Sequence, residues 1–367
     1  MDIIPMNGSQ PVPYYTTAID ELSAIRSAVG ITDLSSHRGR LRITGPDRAS
    51  YLHRILSNEV EELNTGDGNY NLILTNRGKI IADMKLTVSK DEIDLSTISL
   101  EAKDLLYSQL DKYLIADDVT ITDITRTTGM ISVNGPQATP VIESILACPV
   151  VSLREYHNIV RQIHISPSIA QEWVMCVRAN ETGQVGYNLF VEKADVLPQL
   201  WQILLDKGQK HQIQPVGLSA LEVLRIEAGI PKLGAELDES IIPLEAELDH
   251  GINFEKGCYI GQEIVARMKY RGHPNRLLRG FEVESDLPLK YGDRIFDQQK
   301  EIGRITSSTK SISFGKTLAM GYIRMAYTDQ GTTVEVETDT GQLKLGRQTA
   351  RVVLLPFEAT LPLALPH

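Results

Sequence analysis

The stretch Arg42-Ile43-Thr44-Gly45-Pro46-Asp47-Arg48-Ala49, which leads into Leu52, Ile55 and Leu56, recurs in kind as Ser132-Val133-Asn134-Gly135-Pro136-Gln137-Ala138, which leads into Val141, Ile145 and Leu146. Each copy reads as a short apolar strand, a break at Gly-Pro, and an amphipathic helix with a proline close to its first turn, where a missing N–H costs little. The downstream order repeats too. After the first copy come the strand Tyr70 to Thr75, a turn around Asn76-Arg77-Gly78, the strand Ile80 to Val88 and a helix from Glu101 to Tyr113. After the second come Trp173 to Arg178, a turn around Gly183, the strand Tyr187 to Val191 and a helix from Ala194 to Leu205. Strand, helix, hairpin and helix in that order describe a split βαβ, ferredoxin-like unit, and the duplication implies two of them, with strands open to exchange between the two.

Outward from this repeat, Leu218, Leu221, Val223 and Leu224 mark a core helix over 216–228, stopped by Gly229-Ile230-Pro231. From Arg276 onward the pattern changes to short strand-like runs separated by Gly, Asp and Ser turns, which predicts an all-β unit of barrel or sandwich type. The expected class is therefore α+β: a first ferredoxin-like domain over 1–130, a second over 131–275, and a β-barrel domain over 276–367. A chain of 367 residues has length for two or three such units. Its 42% hydrophobic and 23% charged residues are those of a globular protein, with no run long enough to span a bilayer. Met1 to Tyr15 lacks the basic-then-apolar pattern of a secretory signal, so a cytoplasmic location is expected.

Three cysteines, Cys148, Cys176 and Cys258, stand far apart, which argues against a disulfide framework, a zinc ribbon or a cluster held by this chain alone. No metal site is expected, since the histidines show no ligand spacing. Neither a Gly-x-Gly-x-x-Gly turn after a strand nor a Gly-x-Ser-x-Gly elbow occurs, and Lys310 stands where a phosphate loop ending in Gly315-Lys316-Thr317 would need its first glycine. A net charge of −10 disfavours direct contact with tRNA. The chemistry concentrates instead in Lys256-Gly257-Cys258-Tyr259-Ile260-Gly261-Gln262-Glu263, a cysteine framed by glycines beside a lysine and ahead of a helix-like run. An ammonium and a helix N-terminus both favour thiolate, so Cys258 and Lys256 are the candidate catalytic pair, and Cys258 is expected to alkylate faster than the two packing cysteines. The run that follows carries Arg267, Lys269, Arg271, Arg276 and Arg279, a candidate anion site in an acidic chain.

Leu224-Arg225-Ile226-Glu227-Ala228-Gly229, followed by Leu233-Gly234, Asp238-Glu239 and Pro243-Leu244-Glu245, resembles the corresponding segment of the glycine-cleavage T-protein, a tetrahydrofolate-dependent aminomethyltransferase. Asp33-Leu34-Ser35, Thr44-Gly45-Pro46-Asp47, Ser57-Asn58-Glu59-Val60, Ile302-Gly303-Arg304-Ile305-Thr306-Ser307 and Ala319-Met320-Gly321-Tyr322 are similar to the same family in the same order. Within it, the octapeptide 256–263, with Gly257, Tyr259, Gly261, Gln262 and Glu263 about the cysteine, resembles the signature of YgfZ-type folate-binding proteins.

The resemblance implies three domains around a folate site. It implies further that the chain binds tetrahydrofolate or a one-carbon derivative, supports iron–sulfur cluster assembly or repair and through it tRNA modification, and has assembly or client proteins as partners. The alternative it implies is a folate-dependent aminomethyltransferase, in which Asp83 orients or protonates the folate nitrogen. Asp83 and Tyr70 stand where the family's pterin-facing aspartate and tyrosine lie. Asn188 replaces a family carboxylate that holds the pterin amino group, and Leu221 stands at a family arginine. A folate site needs an apolar slot, a polar group for the amino edge and cations for the glutamate tail. Asp83, Tyr70 and the run Arg267, Lys269 and Arg271 are the expected suppliers.

Overall fold

The computed structural model describes residues 12–165, 171–284, 289–339 and 344–358; the start of the chain read above for a signal lies partly outside them, at 1–11. The chain forms two compact units: 1–74 with 81–221 and 250–260, and 75–80 with 222–249 and 261–367.

The first unit opens with helix α1 (Ala18–Ser27), capped by the Thr17 side chain, and strand β1 (Val29–Asp33). The duplication then appears as a longer unit than strand, helix, hairpin and helix. The first copy is β2 (Arg40–Thr44), α2 (Arg48–Ile55), β3 (Gly68–Leu74), β4 (Ile80–Val88), β5 (Glu92–Ser96), α3 (Leu100–Tyr113) and β6 (Thr120–Asp123). The second is β7 (Gly129–Asn134), α4 (Ala138–Leu146), β8 (Asn158–Ile163), β9 (Glu172–Arg178), β10 (Gly186–Val191), α5 (Leu197–Gly208) and β11 (Ile213–Pro215). The five-stranded sheet runs β3-β4-β5-β2-β6, and the six-stranded sheet runs β8-β9-β10-β7-β1-β11. The orders coincide, except that β1 takes beside β7 the place that β6 takes beside β2, both antiparallel, and β11 is moved one position outward.

The sequence pattern therefore matches the copies one strand out of step. The pair Tyr70–Thr75 and Ile80–Val88 is β3 and β4, whereas Trp173–Arg178 and Tyr187–Val191 are β9 and β10, the counterparts of β4 and β5. The omitted strands explain the slip. In β5, Glu92, Asp94 and Ser96 alternate with Ile93 and Leu95, and in β8 a run of exposed residues, Arg161 and Gln162 among them, leaves too little apolar signal. The helix expected over 194–205 begins with one 3-10 turn, Ala194–Val196, before α5, which carries a proline in its first turn.

The core of the six-stranded half is apolar throughout. Val29, Ile131, Val133, Leu189, Leu200, Leu204 and the ring of Trp201 pack together, and Cys176 lies among them with Cys148 at the margin. Both cysteines are thus small packing residues, and burial pushes the Cys176 thiol far above its usual range.

The second unit is built around a closed barrel, β12 (Arg276–Val283), β13 (Arg294–Asp297), β14 (Lys300–Ser311), β15 (Lys316–Arg324), β16 (Thr333–Asp339) and β17 (Lys344–Val353), ordered β12-β15-β14-β13-β16-β17. It encloses Phe281, Ile295, Ile305, Ile323, Val336 and Val352. Helix α6 (Leu218–Glu227) passes from the first unit into the second, and α7 (Gln262–Arg271) belongs to the second. Arg225 of α6 is 5% exposed, so its charge needs partners. It donates to Glu222, Glu236, Ser307 and the Ile230 carbonyl. The α+β class with a C-terminal barrel is what the sequence predicts.

The Gly-Pro breaks have a shared geometry. Gly45 has φ +105° and Gly135 φ +129°; a Cβ on the first would stand 2.1 Å from the Asp118 carbonyl oxygen, and on the second 2.5 Å from that of Ala28. Asp118 leads into β6 and Ala28 into β1, so each glycine admits the strand that pairs beside its own, β6 beside β2 and β1 beside β7. Gly45→Ala and Gly135→Ala should each cost about 1–3 kcal/mol in urea unfolding, for a strained backbone and a displaced strand. Unchanged midpoints would show that neither close approach matters.

Candidate functional site

Alternation along the strands decides what faces inward between the two sheets of the first unit. In β2, Leu41 and Ile43 are buried in the core while Arg40 and Arg42 point the other way; in β10, Tyr187 and Leu189 join the core while Asn188 and Phe190 do not. The second set, with Lys85 and Thr87 of β4, Asp94 and Ser96 of β5 and Met175 and Val177 of β9, lines a cleft. One end is closed by Arg42, whose guanidinium grips both carboxylate oxygens of Asp94 at 2.8 Å and also both of Glu192.

Asp83 stands on the same face of β4 as Lys85 and Thr87, while Ala82, Met84 and Leu86 fill the apolar face. Its Oδ2 accepts from the Tyr70 hydroxyl at 3.0 Å, so the structure does bring together these two sequence-selected residues. Its Oδ1 is buried without a protein donor. Burial raises the Asp83 pKa, against the Tyr70 hydrogen bond and the nearby charge of Lys85. The Tyr70 ring lies 6.4 Å from that of Tyr156, at 29°, and 5.1 Å from that of His250. Gly251 makes room for it, since a Cβ there would lie 2.9 Å from the Tyr70 ring. Tyr156 holds φ +67°, a strained state for a bulky residue.

Sequence reasoning missed Glu181. Its carboxylate, in the loop after β9, receives Arg38 Nη2 at 2.7 Å, Lys85 Nζ at 2.5 Å and Asn188 Nδ2 at 3.1 Å. Burial opposes ionisation, but the charges of Arg38 and Lys85 hold its carboxyl far below the usual range. Asn188 replaces the carboxylate that the resemblance leads one to expect, yet a carboxylate is still present, one hydrogen bond behind it. Asn188 Oδ1 is buried and has no protein partner. A loop glutamate reads as a solvated residue, and its cations are distant in sequence, so no local signal marks it.

The octapeptide divides between the two units. Lys256 Nζ donates to the carbonyls of His53 (2.6 Å), Leu56 (2.9 Å) and Asn58 (2.7 Å), closing the C-terminal end of α2, where carbonyls lack helical partners. Burial draws its pKa down to about 8, opposed by the charge of Glu59. The Tyr259 ring packs 5.5 Å below this ammonium, and burial lifts its hydroxyl pKa to about 12. Cys258 is exposed. Gly257 stands in open space, and Gly261 is the N-cap of α7. Within α7, Gln262 opens the helix, Glu263 pairs with Arg267, Lys269 pairs with Asp249, and Arg271 ends it. The five-residue basic run is thus divided: Arg276 and Arg279 are committed to Glu245 and Glu247 in the same unit. Among the described residues no cluster of three or more His, Cys, Asp or Glu could hold a metal ion, and no helix is long and apolar enough to cross a membrane.

Lys256→Met would leave three carbonyls without their donor and should destabilise the chain by about 1–3 kcal/mol, whereas Cys258→Ser, at an exposed side chain, should stay within about 0.5 kcal/mol. Urea unfolding of both variants checks this; equal stabilities would remove the clamp from the account.

Residues 4–256 match the GCVT N-terminal domain, and residues 276–357 match the glycine cleavage T-protein C-terminal barrel domain. An aminomethyltransferase of Halalkalibacterium halodurans is 28% identical over 351 residues, 95% of this chain and 92% of that protein. One of Shouchella clausii is 30% identical over 341 residues, 92% of this chain and 88% of that protein. The crystal structure of the glycine cleavage system aminomethyltransferase T of Bartonella henselae superposes with a TM-score of 0.81 at 23% identity, over 97% of this chain and 92% of that one, a likeness of fold. These relatives correct the functional expectation: chains aligned nearly end to end with this one are aminomethyltransferases, so the iron–sulfur assembly role read from the octapeptide is overturned, together with its client partners and its link to tRNA modification. The two domain matches together span both sheets and the barrel, and the chain belongs to the glycine cleavage T-protein family.

Proposed function

We propose that the chain is a folate-dependent aminomethyltransferase of the glycine-cleavage T-protein type, with Asp83 as its acid–base group. The observation that carries this is the state of Asp83: a buried carboxylate with a raised pKa, one oxygen on Tyr70 and the other turned to no protein donor. Such a group holds its proton more tightly than a solvated carboxyl and can pass it to a ligand at a site from which water is excluded. End-to-end similarity to proteins named aminomethyltransferase supports the same reading. A finer placement, with the YgfZ-type branch of the family, rests on the octapeptide 256–263 alone.

The residues present fit a reduced folate. Asn188 Oδ1 is an orphaned acceptor, suited to the N–H groups of a pterin's amino edge, and Asp83 Oδ1 is a second, left for the ring nitrogen that takes the one-carbon unit. Tyr70, Tyr156 and His250 offer aromatic surface beside Asp83. When bound, tetrahydrofolate supplies the nitrogen that accepts the one-carbon unit. Asp83 orients that ring and moves the proton, Tyr70 fixes the carboxylate by its hydroxyl, and the side chains around them keep bulk water away.

Asp83→Asn should lower turnover of an aminomethyl donor with tetrahydrofolate by about 100-fold or more. The same change should stabilise the chain at neutral pH. Because the folded pKa of Asp83 lies above its unfolded value, the native state binds this proton more tightly, and its ionisation costs stability as pH rises through the folded pKa. Urea midpoints for Asp83→Asn should exceed wild type at pH 7 and converge with it in acid. Full activity in Asp83→Asn would sink the assignment.

A further inference from the structure

We infer that Glu181 is a positioning residue of this site: it locks the Asn188 amide so that Oδ1 faces the ligand, and thereby selects a ligand edge that donates hydrogen bonds. The inference rests on the folate reading and extends it to a residue that never touches the pterin.

An asparagine amide can present either its oxygen or its nitrogen, and a lone Asn188 would not choose between a donor and an acceptor edge. Glu181 makes the choice. Held ionised between Arg38 and Lys85, its carboxylate can only accept, so it takes Asn188 Nδ2 at 3.1 Å and leaves Oδ1 as the free face of the amide. The side chains of Glu181 and Arg38 are 8% and 14% exposed, so the lock is built into the interior. Asn188 and Lys85 both line the cleft, and Arg38 and Lys85 act on Asp83 as well as on Glu181. The charges of Glu181 and Asp83 are both felt by the Tyr156 hydroxyl. The locked amide thus shows one buried acceptor without a protein partner, Asn188 Oδ1. A pterin amino group satisfies it; an edge of acceptors would be left unpaired against it.

The test measures binding of 5-formyltetrahydrofolate, a stable reduced folate, by calorimetry. Asn188→Ala and Glu181→Gln should each weaken it about tenfold, the loss expected for one buried hydrogen bond. Because Glu181 works through Asn188, Glu181→Gln added to Asn188→Ala should change affinity less than about twofold, which a merely structural glutamate would not show. In wild type, a reduced folate whose 2-amino group is replaced by methyl should also bind about tenfold more weakly, and Asn188→Ala should not weaken it further. Glu181→Asp keeps the charge for Arg38 and Lys85 while drawing the oxygens back from Asn188, so it reads the same contact if Glu181→Gln is too unstable to purify. Wild type that binds while the Glu181 variants bind equally well overturns the inference alone. Additive losses in the double variant also overturn it. Wild type that binds no reduced folate overturns the folate reading, and this inference with it.

Discussion

A carboxylate taken out of water must be met by charge, and the interior of the first unit is arranged around that requirement at Glu181. Its partners come from two parts of the other sheet's sequence: Arg38 just before β2, and Lys85 in β4. Removing one member of such a buried pair typically costs several kcal/mol, because the remaining charge is left without compensation. The contact therefore fixes how the two sheets face each other within this unit. Arg42, bridging Asp94 and Glu192, does the same at the other end of the cleft. What lies between is set by β-strand alternation, with apolar side chains turned to each sheet's own helices and polar ones turned to the cleft. Asp83, on the same face of β4 as Lys85, is buried with one oxygen on Tyr70, and burial is what raises its pKa.

Much of this was legible in the chain. The Gly-Pro breaks at Gly45 and Gly135 expose the duplication because a positive φ beside a carbonyl demands glycine in both places. The barrel strands show themselves through turn residues at short intervals. Asp83 and Tyr70 could be selected by resemblance, and they meet in the structure. What could not be read is long-range. Strand β1 enters the second sheet beside β7, far along the chain, and nothing in Val29-Gly30-Ile31-Thr32-Asp33 says which sheet it will join. Strand β5 was hidden by its charged alternation, and Asp94 shows why the charge is there: it meets Arg42 inside the cleft. Glu181 was hidden for the same reason, since a glutamate in a loop acquires meaning only from partners the fold delivers.

The octapeptide shows the opposite error, in which a local motif was given too much chemical meaning. A cysteine between glycines beside a lysine suggests a reactive thiol if the ammonium is directed to the sulfur. Here the Lys256 ammonium donates to three carbonyls at the end of α2, with the Tyr259 ring against it. Part of the motif therefore has a folding role that sequence alone does not distinguish from a catalytic one. The functional correction came from extent: the alignment with aminomethyltransferases runs through both sheets and the barrel, where the octapeptide covers a single turn and the start of one helix.

The central claim is that a pterin meets Asp83 and Asn188 at different edges, its one-carbon nitrogen at the first and its amino edge at the second. The most direct measurement is a crystal structure of the protein with a reduced folate bound. The account predicts the 2-amino edge of the pterin within hydrogen-bond distance of Asn188 Oδ1 and its one-carbon nitrogen on the side of Asp83, with Asn188 Nδ2 still on Glu181. A pterin bound with its amino edge away from Asn188 Oδ1, or an Asn188 amide turned to give its nitrogen to the ligand, would contradict it.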